Sequence, residues 1–191
     1  KVTGGFSYFL RNQDLAGKTP TNDENFDRIK LPDFSAKTYS ANLGGPLVKD
    51  KLFLFVAGEY QKSETPKVFN FSSYAGGVSE ANIDALANLL RTKYNYEPGG
   101  YTNNAAIIDR KAITAKLDWN ISNKHKFSIF YNHINAENVS TYASSRTAIN
   151  FNNGAIVYPN KTHQFTAELK SNFSNKVSNS LLVGFTDVLD D

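Results

Sequence analysis

Cysteine and methionine are both absent from the 191 residues, tryptophan occurs once and proline six times. Without cysteine there can be no disulfide and no thiolate metal site, a composition that suits passage through an oxidising periplasm. Methionine is missing even from position 1, where Lys1 stands with no signal peptide after it, so the expectation is an internal segment of a longer protein. Long hydrophobic runs are lacking too. A membrane helix needs about 18 apolar residues in succession, and the mean hydropathy is -0.43. That excludes a helical membrane protein but not a barrel, whose strands need only about ten residues with half of them facing lipid. Charge of one sign is also scarce: 21 Lys and Arg against 18 Asp and Glu leave +3. The basic residues are scattered, which argues against a nucleic-acid-binding stripe.

What the chain does have is aromatic residues, 14 Phe and 10 Tyr among them, and a period of two. In Leu43-Gly44-Gly45-Pro46-Leu47-Val48-Lys49-Asp50-Lys51-Leu52-Phe53-Leu54-Phe55-Val56-Ala57-Gly58-Glu59-Tyr60 a strand ends, a polar turn follows, and a second strand begins. Leu54, Val56, Gly58 and Tyr60 share one face of it, Phe53, Phe55, Ala57 and Glu59 the other. The same grammar returns from Ala112 to His133 around Ser122-Asn123-Lys124-His125, and from His163 to Asp187 around Ser174-Asn175-Lys176. Seven strands are expected: Thr3 to Arg11, Lys37 to Leu47, Leu52 to Lys62, Lys111 to Asn120, Lys126 to Asn135, Thr162 to Phe173 and Val177 to Val188. Long polar connections separate the hairpins. Short turns at one end and long loops at the other are the pattern of a transmembrane β-barrel. The predicted fold class is therefore all-β, an antiparallel up-and-down meander forming part of a barrel wall, with residues 1–191 as one partial β-barrel domain of about seven strands.

On this reading Ile113, Ala115, Leu117 and Trp119 face lipid, and Thr114, Lys116 and Asp118 face the lumen. Trp119, Tyr60 and Tyr131 fall near strand ends, where aromatic girdles belong. Within the longest loop the period changes: Ile83, Leu86, Leu89 and Leu90 recur at helical spacing, Ser79 can cap, and Val78 with Ile83 fits a hydrophobic staple. The spacing predicts a short helix over Ser79 to Lys93, lying on other loops on the extracellular side. Arg91 and Lys93 suit its C-terminal dipole, and Pro98-Gly99-Gly100 ends the segment.

Gly44-Gly45-Pro46-Leu47 followed by Lys51-Leu52-Phe53-Leu54-Phe55, with Arg11-Asn12 on the strand before, resembles the first barrel strands of TonB-dependent receptors, above all the Oar-like group common in Bacteroidetes. Similar in kind are Thr114-Ala115-Lys116-Leu117-Asp118-Trp119-Asn120-Ile121-Ser122 leading into His125-Lys126-Phe127-Ser128-Ile129, and Leu182-Val183-Gly184-Phe185-Thr186. The resemblance spans nearly the whole chain. It implies the outer membrane of a Gram-negative bacterium as location, outer-membrane lipid as surroundings, and a full-length protein of about 22 strands that binds a solute at its extracellular loops and imports it with a plug domain and the TonB system. The ligand's class, whether small solute, peptide or glycan, stays open. A soluble or surface-exposed all-β binding or adhesion module without transport is the alternative.

Chemistry-bearing motifs are few. No Gly-x-Ser-x-Gly elbow, Walker loop or His-Glu-x-x-His occurs, and the paired glycines at Gly44, Gly76 and Gly99 lack the surroundings of a phosphate cradle; neither an enzyme nor a cofactor is expected. Glu59, Asp118 and Glu168 are expected to form charge ladders with Lys116 and Lys170 across neighbouring strands. A hairpin register could pair His133 with His163, but zinc takes three or four protein ligands, and His125 lies in a turn. Asp23-Glu24-x-x-Asp27 lacks the spacing and glycine of a calcium loop. The sequons at Asn70, Asn120, Asn138, Asn160 and Asn172 follow from a chain rich in Asn, Ser and Thr. Candidate ligand contacts are the loop aromatics Tyr74, Tyr94, Tyr96, Tyr101 and Tyr142, in the connections Gln61 to Arg110 and Ala136 to Asn160, with Asn12 to Ala36 as a third ligand-facing loop.

Overall fold

The computed structural model describes residues 1–18 and 30–190. Strands β1 (Thr3–Asn12), β2 (Ser35–Val48), β3 (Leu52–Val68), β4 (Asn103–Asn120), β5 (His125–Ser140), β6 (Ile156–Ser174) and β7 (Val177–Asp190) form one antiparallel meander in sequence order. One α-helix, α1 (Glu80–Tyr94), interrupts it between β3 and β4. The three short turns lie at one end and the long connections at the other, as consecutive antiparallel pairing requires.

Each short turn is closed by local chemistry. Asp50 adopts φ 58°, and the Lys51 amide bonds back to the Val48 carbonyl at 3.1 Å. Ser122 Oγ accepts from the amides of Lys124 and His125, and Ser174 Oγ from that of Lys176. These are serine side chains replacing a backbone turn partner. Gly45 is required for a different reason: a Cβ there would stand 2.9 Å from the Cα of Val2.

All seven strands exceed their expected length, β1, β2 and β7 only slightly and four of them by a long stretch. β3 runs to Val68, β4 starts at Asn103, β5 continues to Ser140 and β6 starts at Ile156. The added stretches pair with one another, Val68 with Asn103 and Ser140 with Ile156 at their tips. At about 3.3 Å per residue an 18-residue strand such as β4 is about 60 Å long, far more than the roughly 25 Å apolar band of a barrel. The sheet therefore rises well clear of that band on the long-loop side.

Register fixes the two faces. Gly58, Ile113, His133, His163 and Asp187 form one row across five strands, and Val56, Ala115, Tyr131, Phe165 and Phe185 the row beneath it. This face carries the apolar band. Its upper limit is Tyr8, Tyr39 and Tyr60 on β1 to β3, but already His133, His163 and Asp187 on β5 to β7, one row lower. A horizontal band crossing tilted strands cuts their hydrogen-bonded rows obliquely in this way. The opposite face holds Ser40, Glu59, Thr114, Asn132, Lys116, Asp118 and Glu168.

Neither face of the sheet has a core. Every residue of β7 is exposed, and Phe6, Leu43, Val183 and Phe185 are 57–72% accessible. Among the described residues, the buried apolar side chains are Phe69, Ile83, Ala87, Pro98 and Tyr101. All five belong to a cap of loops beyond the strand ends.

Candidate functional site

The cap is built from the β3–β4 and β5–β6 connections. Ser79 caps α1, its hydroxyl accepting from the Asn82 amide at 3.3 Å, and Asn95 in left-handed conformation at φ 50° ends it. The helix buries Ile83 and Ala87 and half-buries Leu90. Leu86 and Leu89 stay exposed at 44% and 46%, so the expected apolar face is displaced toward Ala87, a residue small enough to approach the loops beneath. Around this contact stand aromatic rings, Phe71 tilted on Tyr74 at 5.1 Å and Tyr101 edge-on to Phe151 at 5.8 Å.

Polar groups fasten the two connections together. The Asn104 amide donates to the carbonyls of Tyr142 and Asn150, both at 2.8 Å. Ser144 Oγ donates to Tyr101 O at 2.8 Å, Lys67 Nζ donates to Thr141 O, and the Asn153 amide donates to Glu97 O at 2.9 Å. Gly99 sits at φ 77°, where a Cβ would meet that of Asn152 at 3.0 Å. Arg91 grips Glu97 with two nitrogens at 2.9 and 3.0 Å, and that guanidinium, helped by the Gly99 amide, holds the Glu97 carboxyl below the usual range. Tyr101 donates its hydroxyl to Asp84 Oδ1 at 2.9 Å. Burial, then that carboxylate, pushes the phenol up to about 12.

The five candidate tyrosines divide accordingly. Tyr101 is in the cap's core and Tyr74 is half-buried against Phe71. Tyr94, Tyr96 and Tyr142 are 62%, 47% and 57% exposed on the cap's surface. Sequence reasoning overlooked Asn104 and Ser144, both buried and polar, which join the connections; the signal for Asn104 would have been a polar residue at a strand tip flanked by long loops, while Ser144 lies within the β5–β6 connection and carried none.

Below the cap, the polar face forms a wall of paired groups. Arg110 pairs with Glu59 across β3 and β4, and Thr114 Oγ1 donates to Asn132 Oδ1 at 2.9 Å. Lys116 meets Asp118 at 2.9 Å and Lys170 meets Glu168 at 3.0 Å, each within one strand, with Ser180 donating to Glu168 from β7. The charges thus close mainly along strands instead of across them, because residues two apart share a face and a lysine is long enough to reach back. Phe9, Phe55 and Leu182 also lie on this wall, 62%, 41% and 62% accessible.

His133 and His163 are register partners with stacked rings, centroids 4.3 Å apart. Tyr131 Oη bonds His163 Nδ1 at 2.9 Å, and His133 Nδ1 bonds Thr162 O at 3.1 Å. His125 bonds Ser171 at the short-turn end. No group of three metal-ligating side chains occurs among the described residues. Asp23, Glu24 and Asp27 lie outside them.

Residues 1–75 match the model of an outer membrane beta barrel domain family. No curated protein and no solved structure matches the chain. Among the described residues no helix is long and apolar enough to cross a membrane; the strands do the crossing. The family match and the meander, with its apolar band bounded by tyrosines on β1 to β3, make this an outer-membrane β-barrel protein of a Gram-negative bacterium. The apolar face is the outward, lipid-facing one, the polar face looks inward, and the cap is extracellular.

Proposed function

We propose that this segment is part of the wall of a TonB-dependent receptor, whose extracellular loops bind a solute that is then imported through the lumen. The observation that carries this reading is the inward wall. Phe9, Phe55 and Leu182 stand exposed among its ion pairs, a surface too apolar for an open aqueous pore and suited to packing against a domain that fills the lumen. Width supports it as well: β1 and β7 are not paired, so a closed barrel takes more than seven strands, and wide barrels with occupied lumens are those of active transporters. The cap supplies a preorganised outer surface. Its exposed Tyr94, Tyr96 and Tyr142 offer amphipathic contacts to a solute at low entropic cost. Nothing in this reading calls for a catalytic group or a cofactor; the chemistry is binding and gating.

The test uses the full-length protein in its own cell. Candidate solutes are found by comparing uptake between wild type and a deletion strain, and energy coupling by repeating the measurement without TonB. Uptake that vanishes in both strains is the expected result. Passive uptake indifferent to TonB, or surface attachment with no uptake at all, would replace import with a pore or an adhesin.

A further inference from the structure

The outward face has an ordered margin on the extracellular side. On β2, β3, β4 and β6 the first residue of fixed charge beyond the apolar band is a lysine: Lys37, Lys62, Lys111 and Lys161, all exposed. Acids come one step further out, Glu64 beyond Lys62 and Asp109 beyond Lys111. Lys37 and Lys62 are direct register partners, an arrangement of like charges that destabilises a sheet unless an anion lies between them. Asp109 on β4 is the register partner of Lys62, yet its carboxylate accepts from the Tyr60 hydroxyl at 3.1 Å, and neither Lys37 nor Lys62 has an ion-pair partner among the described residues.

Beneath the lysines is a platform. Tyr39 stacks on Tyr60 at 6.3 Å and lies against Tyr8 at 4.8 Å, while Lys111 Nζ sits 5.8 Å over the Tyr60 ring. Below the tyrosines Ala41 pairs with Gly58, which leaves a shallow trough between Phe6 and Ile113. Beside Lys37 a cavity of about 480 Å³ opens, walled by Tyr8, Leu10 and Phe34, with Asp33 and Glu64 also lining it.

We propose that this margin is a binding site for a phosphorylated glycolipid of the outer leaflet. Its phosphate lies between Lys37 and Lys62 with Lys111 at the flank, its sugar enters the cavity, where carboxylates accept from hydroxyls, and an acyl chain lies along the trough. The layers match a lipid: apolar, aromatic, cationic. The proposal rests on the lipid-facing orientation of this face and is independent of solute import.

Native mass spectrometry of the full-length protein in detergent, titrated with bisphosphorylated lipid A, tests it. K37Q/K62Q should weaken retention by about tenfold, K37R/K62R should keep it, and K124Q in a turn at the opposite end should leave it unchanged. Dephosphorylated lipid A should bind K37Q/K62Q and wild type alike, and weakly. Equal retention of the bisphosphorylated lipid by K37Q/K62Q and wild type would overturn the site. Displacement by millimolar inorganic phosphate would overturn the glycolipid in favour of a free-anion site. The arginine variant alters the side chain without losing its charge, so its failure together with K37Q/K62Q would also count against a phosphate contact.

Discussion

At the residue scale, the side of the strand on which a side chain emerges decides its cost. Leu117 and Val183 sit in the same row of the outward face, joined through Ile129 and Ala167, whereas Thr114 faces inward beside Asn132. Leu117→Arg or Val183→Arg should each cost about 2–4 kcal/mol of folding free energy in lipid, and Thr114→Arg under about 1 kcal/mol; refolding titrations of the full-length barrel into vesicles would read the difference, and equal costs would contradict the assignment of faces. Tyr101 offers a second measurement. Its folded-state pKa of about 12 lies above the ordinary phenol value near 10, so its neutral form is the one the cap stabilises. That contribution is fully present below pH 10 and is lost as the pH rises toward 12. Ultraviolet titration should show a late-ionising component that shrinks in Tyr101→Phe.

Elements depend on caps and partners more than on their own pattern. The α1 boundaries were legible in the sequence because Ser79 and the Ile83 spacing are local signals; the buried face was not, since choosing Ala87 over Leu86 and Leu89 depends on which loop surface lies beneath. The added lengths of β3 to β6 were hidden for similar reasons. Pro66 and Pro159 demote a strand when read locally, yet Pro66 lies beyond Glu64, the last β3 residue with a β2 partner, and Pro159 precedes Asn160, the first β6 residue with a β7 partner. Each proline occupies an edge, where a missing amide costs nothing. The period of two across the membrane band, by contrast, was legible because lipid on the outward side constrains every second residue of it, while the inward side admits Phe9, Phe55 and Leu182 among its polar groups. Two outcomes test the helix. Ser79→Ala should lower cap stability by about 1 kcal/mol, seen as faster amide exchange through the first turn of α1. Acid should loosen its other end: Glu97 is held below the ordinary carboxyl range by Arg91, so its contribution is present above about pH 4.3 and is lost as pH falls through the depressed folded value. Glu97→Gln should remove that pH dependence of exchange near Asn95.

For the whole molecule, the distribution of burial is the decisive quantity. A soluble sheet of this size hides one face against a second layer, but here the buried apolar residues are gathered in the cap while Phe6, Leu43, Ile113, Leu181, Val183 and Phe185 stand more than half exposed along the sheet. Monomeric soluble proteins rarely present contiguous apolar patches beyond a few hundred Å². The two unpaired edges, β1 and β7, add templates for association with other chains. Charge does not compensate, for +3 over 191 residues is a weak repulsion between copies. Residues 1–191 produced alone without detergent should therefore elute as aggregate or higher oligomer in size-exclusion chromatography and melt without a cooperative transition. Detergent should recover monomer-sized particles by covering the outward face, while leaving the edges prone to pairing at high concentration. A sharp monomer peak with cooperative melting in plain buffer would mean that the two open faces are covered in some other way, and the wall would have to be read as a self-sufficient β-module.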